Sequence, residues 1–358
     1  MVSMKGRLAK VFSKAKVNQI LITNSDREDS NFLYLTGFKG GLFEGTILLA
    51  KRKSMTMFVS PLEYGIAKSQ KPKEMKLVLL NKSGMLREML KKELAGKRVG
   101  INGSFMSYNG YKTLTSKIKA KPVDVSGALM NARLVKDDSE LRLMKKAVAI
   151  TKKAMAAGKV ALKVGATEKM VAAEIDSCML RNGASTAFTS IVAFDSNTAL
   201  PHHSPGSTKL KPNAIVLFDI GAKVDNYCAD MTRTFMFKPD TKSAKYKRLM
   251  DMYTVVLKAQ SLALAKIKEG ALGKDSHNAA EAYINGYKNG IYKGKFIHSL
   301  GHSIGIDVHD GGAGLYPSST TKLKRNMVFS DEPGIYIEGF GGVRIEDDVV
   351  VGRRSLFM

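Results

Sequence analysis

The run FDIGAKVDNYCADMTRTF, residues 218–235, places two aspartates, Asp219 and Asp230, in what otherwise reads as a pair of buried strands. The stretch IVLFDIGAKV is apolar on both sides of Asp219. A carboxylate in such surroundings is costly to bury unless something neutralises it. Any fold for this chain must therefore bring positive charge to these two acids or turn them out to water.

Three other segments raise the same question. HSLGHSIGIDVH carries His298, His302 and His309, SDEPGIY carries Glu332, and VRIEDDVVV carries Glu346. Asp219, Asp230, His302, Glu332 and Glu346 all sit at strand-like or turn positions and could together make a metal site. Two like charges ~4 Å apart repel by about 4 kcal/mol at an effective dielectric of ~20. Four converging carboxylates would be untenable near neutral pH without cations, and two divalent ions would resolve the conflict. Oxygen-rich donors with one imidazole suit Mn²⁺, Co²⁺ or Zn²⁺ and disfavour copper(I) or an iron–sulfur cluster. Taken singly, each acid reads first as a surface or turn carboxylate, and spacing alone does not show that the five converge.

The chain has six histidines, and half of them fall in HSLGHSIGIDVH. His202 and His203 adjoin in ALPHHSP, and His277 lies apart in a helical segment with no role assigned. Gly301 and Gly305 either let the backbone approach a neighbour closely or simply form turns.

A length of 358 residues allows two domains. In residues 1–125 the strand-like runs QILITNS, TILLAKR, MTMFVS, LVLLNK and RVGING alternate with helical ones such as MLREMLKKELAG. This pattern predicts a small α/β domain with a mixed or parallel sheet. The pattern changes in GALMNARLVKDD, so the second domain is assigned to 126–358. There KDDSE opens a helix with acids in its first turn, and its apolar stripe recurs at helical spacing. Further helices are expected over ATEKMVAAEIDSCMLRNG, KYKRLMDMYTVVLKAQSLALAKIKEG and SHNAAEAYINGYKNG. The second domain reads as α+β, with helices covering one face of a sheet.

The net charge of +25 is the compositional oddity. It is densest in the first 125 residues but spread throughout, and no zinc-finger, basic-helix or aromatic RNA-binding motif accompanies it. A solvated basic surface is the plainer reading, so nucleic acid is not the expected partner. No window approaches the ~18 consecutive apolar residues of a membrane span, and MVSMKGRLAKVFSKAKVNQI lacks the apolar core of a signal peptide. Cys178 and Cys228 are too few and too far apart for a disulfide framework. A reducing cytoplasm is the expected home.

The ordered set ALPHH, FDIG, CADMTRTF, HSLGHSIGIDVH, EPGIY and VRIEDD resembles the pita-bread metallopeptidases, within them the Xaa-Pro dipeptidases (prolidases) and Xaa-Pro aminopeptidases. The likeness spans about residues 126–352 and extends to intervals, 11 positions from Asp219 to Asp230 and 14 from Glu332 to Glu346. SNFLYLTGF also resembles the start of the creatinase-like α/β domain that precedes the catalytic domain in this subgroup.

The resemblance implies a dinuclear site. Asp219 would chelate one metal, Asp230 and Glu346 would bridge, and His302 and Glu332 would complete the other. It implies that His202, His298 and His309 line the substrate pocket, that Arg344 supports it, and that Glu332 also acts as the base. Hydrolysis would proceed by a hydroxide held between the metals. His203 inherits no role. Asp310 stands where the family usually has glutamate, and Asp331 reads as a solvated turn residue. The implied activity is cleavage of Xaa-Pro dipeptides, with an Xaa-Pro aminopeptidase acting on longer peptides as the alternative. A non-catalytic nucleic-acid-binding protein on the same fold is the third reading. A homodimer is expected, with NFLYLTGFKGGLF as candidate surface or core.

Overall fold

A computed structural model describes residues 4–24, 28–41 and 43–358 of the chain. They fall into two compact units, Met1–Arg133 and Leu134–Met358.

In the first unit the strand-like runs become β1 (Gln19–Thr23), β2 (Ile47–Lys51), β3 (Ser54–Val59), β4 (Met75–Leu79), β5 (Arg98–Ile101) and β6 (Lys121–Asp124). They form one sheet in the order β4-β3-β2-β1-β5-β6. Antiparallel β1–β2 and β2–β3 pairs sit at its middle, and parallel pairs flank them. The sheet is therefore mixed: the parallel step from β3 to β4 passes through α3 (Pro61–Gln70) and that from β5 to β6 through α5 (Tyr108–Lys112), while α1 (Met4–Phe12), α2 (Ser30–Thr36), α4 (Met85–Leu94) and α6 (Ser126–Leu134) are the remaining helices up to α7. In SNFLYLTGF the helix α2 starts at the Asp29 cap and stops at Gly37, whose φ of +71° is the left-handed C-cap that glycine favours. Phe32, Tyr34, Leu35, Phe38 and Phe43 are buried, and the three phenylalanine rings pack on one another. These described residues of NFLYLTGFKGGLF are core, while Leu42 lies outside the described residues.

The second unit opens with α7 (Asp138–Ala161), and KDDSE does what its composition predicts. Asp137 accepts from the Ser139 and Glu140 N–H groups, and the Glu140 side chain accepts from the Asp137 N–H, closing a capping box. Then come α8 (Glu168–Arg181), β7 (Ser185–Thr186), β8 (Ile191–Phe194), β9 (Ala214–Ile220), β10 (Ala222–Val224), β11 (Tyr227–Cys228) and β12 (Met231–Phe237). After α9 (Ala244–Leu264) and α10 (Gly273–Gly286) the chain returns to short strands: β13 (Gly301–His302), β14 (Gly314–Leu315), β15 (Val328–Asp331), β16 (Gly334–Ile337), β17 (Gly341–Arg344), β18 (Asp347–Val350) and β19 (Leu356–Phe357).

The helices do not cover a single face, as the sequence reading had it. One core joins α7 and α8 to Val216, Phe218 and Ile220 of β9; another joins α9 and α10 to β15–β17 and to Ile215 of the same β9. The reason is the period of a strand. An unbroken apolar run such as AIVLF sends alternate side chains to opposite faces, so both faces need a cover.

Close packing in the first of these cores depends on Gly158. A Cβ there would meet Ile175 Cγ1 at 2.6 Å and Phe218 Cε2 at 3.0 Å. Gly158→Val is expected to cost about 1–3 kcal/mol through overpacking, measured as a lower urea midpoint. An unchanged midpoint would show that α7 can simply lift away.

Candidate active site

The five expected metal ligands are placed in or beside strands, whereas His202, His298 and His309 lie in turns and bends. In the β9–β12 pair Asp219 lies opposite Thr232, and Asp230 immediately precedes β12. The residues between the two aspartates leave as the β10–β11 hairpin, closed by Asp225 and Asn226 with φ of +47° and +73°. Positive φ at both turn residues is the tight type I′ pattern that Asp and Asn tolerate. The two acids thus stand together at the hairpin's base.

Glu332 and Glu346 are brought together in the same way. The β15–β18 ladder ends at the pair Asp331–Asp347, and the β16–β17 ladder starts at Gly334–Arg344. The glutamates occupy the break between the ladders, on facing chains. His302 ends β13, its N–H bonded to Ser330 Oγ at 3.0 Å. Next to it, a Cβ on Gly301 would fall 2.0 Å from the Ser330 carbonyl oxygen, so Gly301 serves a close approach of two backbones.

Ligand atoms of Asp230, His302 and Glu346 lie within 4.8 Å of one another. His302 Nε2 is 3.3 Å from Glu332 Oε1 and 3.7 Å from Asp230 Oδ2. Asp219 Oδ2 is held by Arg344 Nη2 at 2.6 Å. Burial, then Glu346 and Asp219, push the Asp230 carboxyl well above its ordinary range. Burial, then Glu332 and Asp219, do the same to Glu346. Burial would also raise Glu332, but His302, His298 and Arg344 overcome it and hold its carboxyl low. For His302 burial alone would lower the pKa, and Glu332 reverses the sign. Without cations the cluster is thus tolerable only with protons on some of its members. Asp219 Oδ1 and Asp230 Oδ1 are buried without a hydrogen-bond partner. Bare carboxylate oxygens, mutual repulsion and one imidazole are the donor set that hard or borderline divalent ions take.

All nine expected site residues line one cavity of about 1350 Å³. His202, His298 and His309 share it with apolar walls that include Phe188, Ile191 and Ile297. His298 is committed at both nitrogens. Nδ1 faces the Ser299 carbonyl at 2.8 Å and must carry the proton, so Nε2 accepts from the Tyr336 hydroxyl at 2.8 Å. That hydroxyl in turn accepts from Arg344 Nη1 at 2.9 Å. Burial lowers the His298 pKa and keeps the ring neutral. His309 stacks edge-on against His302 with ring centres 4.1 Å apart and makes no hydrogen bond among the described residues. Burial, then His302, lower its pKa as well.

Several supporting residues escaped the sequence reading. Thr232 Oγ1 donates to Glu346 Oε2 at 2.5 Å and accepts from Arg344 Nε at 3.0 Å. Its only local mark is its place in TRTF, two residues after Asp230; its pairing with Asp219 across the ladder appears only in the fold. Tyr336 links Arg344 to His298, and His277 Nδ1 accepts the Leu300 N–H at 3.1 Å, steadying the histidine segment. Asp310 is buried and pairs with Lys136 at 3.7 Å; a Cβ on Gly305 would strike it, so this glycine too serves a close approach. Asp331 is not a solvated turn residue. It ends β15 fully buried, neither carboxyl oxygen finds a hydrogen-bond partner, and burial with Asp347 opposite pushes its pKa well up. Asp347 shows why the reading failed, since cross-strand pairing is invisible in a single sequence.

Among the described residues no helix is long and apolar enough to cross a membrane. Residues 5–135 match the Creatinase/Prolidase N-terminal domain, and residues 142–353 match Metallopeptidase family M24. An uncharacterized peptidase of Staphylococcus saprophyticus is 38% identical over 238 residues, a match spanning 65% of each chain. The Xaa-Pro dipeptidase of Pyrococcus furiosus is 30% identical over 96% of this chain and 94% of its own. Among solved structures, the prolidase from Pyrococcus horikoshii superposes with a TM-score of 0.86 at 29% identity, over 99% of this chain and 97% of that one. A creatinase-type N-terminal domain followed by a pita-bread catalytic domain is therefore the architecture, and the chain belongs to metallopeptidase family M24.

Proposed function

We infer that this protein is a prolidase, hydrolysing Xaa-Pro dipeptides at the cavity that holds Asp219, Asp230, His302, Glu332 and Glu346. As an M24 metallopeptidase it uses divalent metal ions. The observation that carries the site reading is the convergence of Asp230, His302 and Glu346 within 4.8 Å, beside carboxylate oxygens that no other group satisfies.

Two ions of the Mn²⁺, Co²⁺ or Zn²⁺ class would be held by Asp219, by Asp230 and Glu346 between them, and by His302 with Glu332. Bound there, they would neutralise the carboxylates, acidify a water and polarise the scissile carbonyl. Glu332 Oε takes the proton of the attacking water and returns it to the prolyl nitrogen, a tertiary amide nitrogen that cannot leave unprotonated. His302, His298 and Arg344 together hold its proton affinity low, and a neutral, ligating His302 imidazole would contribute less to that. His309, with uncommitted ring nitrogens among the described residues, is better placed than His298 to donate to the developing oxyanion or to the substrate carboxylate. His298 serves as the end of the Arg344–Tyr336 chain that holds the wall, and His202 borders the same space.

The free thiols of Cys178 and Cys228 accord with a reducing cytoplasm. We propose a homodimer from the family resemblance, and sedimentation at micromolar concentration tests it by mass.

The deciding assay compares Gly-Pro, Met-Pro and Gly-Pro-Ala, using protein stripped with chelator and then reloaded with Mn²⁺, Co²⁺ or Zn²⁺. Metal-dependent cleavage of the dipeptides with the tripeptide spared is the expected result. Cleavage of the tripeptide at its first bond would move the assignment to Xaa-Pro aminopeptidase. No cleavage with any metal would overturn the peptidase reading.

A further inference from the structure

Glu168 lies outside the expected site, yet both ends of one cavity wall are fastened to it. It is the first residue of α8, behind the Thr167 cap, where the helix dipole favours a negative charge. Its side chain is fully buried and takes four donors. Oε1 accepts from the Phe194 N–H and from Asn197 Nδ2, both at 2.9 Å. Oε2 accepts from the Gly206 N–H at 2.8 Å and bonds His203 Nε2 at 2.9 Å. The first pair of donors precedes the segment Leu200–Ser204, and the second pair lies in it or just beyond. That segment lines the cavity and contains His202. Backbone bonds reinforce the clasp, from Glu168 N–H to Thr208 O and from Lys169 N–H to Gly206 O, each at 3.2 Å. The segment itself is a tight turn, closed from His203 N–H to Leu200 O at 3.1 Å.

We propose that Glu168, acting through His203 and the Leu200–Ser204 wall, is a positioning residue that sets where His202 meets the substrate. Four donors on one carboxylate would satisfy a purely structural clasp as well. What separates the two roles is that one donor, His203, is itself a cavity-lining residue and the neighbour of His202. Its ring cannot rotate toward the substrate without breaking the bond to Glu168. The pair therefore decides which of two adjacent histidines faces the reaction. The identity of the substrate rests on the prolidase reading above.

Glu168→Gln keeps the shape and one acceptor oxygen but turns an amide NH₂ toward Gly206 and His203. With metal-loaded enzyme and Gly-Pro, KM is expected to rise about tenfold while kcat falls less than about threefold. In a His202→Ala background the same substitution should change kcat/KM less than about twofold, because coupled sites are non-additive. His203→Ala breaks the same link without altering the buried carboxylate and should reproduce the pattern if Glu168→Gln does not fold. Histidine-labelled NMR supplies a readout that needs no substrate: the His202 and His203 ring signals should move together in Glu168→Gln while His277 stays. Unmoved His202 signals, or a KM effect that adds in full to that of His202→Ala, would overturn the proposal. If wild-type protein cleaves no Xaa-Pro peptide, the prolidase reading fails, and the ring signals still decide the role of Glu168.

Discussion

Asp230→Asn is expected to lower metal-dependent Gly-Pro hydrolysis by about 10³-fold or more and, at the same time, to stabilise the metal-free protein. The two effects share one cause. Asp230 is buried among Glu346, Asp219 and Glu332, and its carboxyl is pushed well above the ordinary range. A carboxyl whose folded pKa is raised favours folding while protonated, and that contribution is lost as pH climbs from the unfolded value toward the folded one. Asparagine carries no charge to lose. Its advantage should be absent near pH ~4 and grow with pH, read as a higher metal-free melting temperature than wild type at pH 8. Added Mn²⁺ should then reverse the ranking, stabilising wild type and leaving the variant unmoved. Thermal melts at the two pH values, with and without metal, test all of this. A variant less stable than wild type at pH 8 without metal would mean that Asp230 does not carry the repulsion.

Arg344→Met is expected to be the most destabilising change at the site, costing about 3–5 kcal/mol in metal-free protein. The guanidinium is buried and serves three partners, Asp219 at 2.6 Å, Tyr336 at 2.9 Å and Thr232 at 3.0 Å. Removing it exposes Asp219 to its carboxylate neighbours and strands a hydroxyl whose other bond orients His298. Activity should fall by about 10²-fold or more, the usual scale for losing one fixed electrostatic partner. Arg344→Lys should restore charge but not the fork, recovering stability better than rate. Urea unfolding in chelator measures the first effect. A loss below about 1 kcal/mol would show that Asp219 does not depend on this pairing.

Much of the candidate site was legible because its chemistry conflicts with its surroundings. Asp219 stands out in IVLFDIG, as does Glu346 in VRIEDD, because strands that are otherwise apolar hold an acid only for a reason. The helix starts were legible too, since a capping box such as Asp137–Glu140 is local chemistry. What stayed hidden depends on residues far apart in sequence. Nothing in the chain announces that Thr232 faces Asp219, that Asp331 faces Asp347, or that Glu168 reaches Gly206. The second helical layer was missed for a related reason. An apolar strand run shows that both faces are covered but not by what, and only tertiary packing separates Ile215 from Val216. His277 and His203 were both left without a role, and each proved to be bonded to something specific: a backbone N–H for the first, a buried carboxylate for the second.

Both acid pairs stand at the bases of hairpins, Asp219 with Asp230 below β10–β11 and Glu332 with Glu346 below β16–β17. The turn tips, at Asp225–Asn226 and around Glu338–Phe340, lie beyond the paired residues that fix those bases. Residues added at a tip would lengthen a loop and leave all four acids in register, whereas one residue added inside a ladder would turn a glutamate to the opposite face. The exposed Glu338–Gly339 tip is therefore where this enzyme can accept insertions, such as a reporter peptide or an engineered recognition loop, without retuning its chemistry.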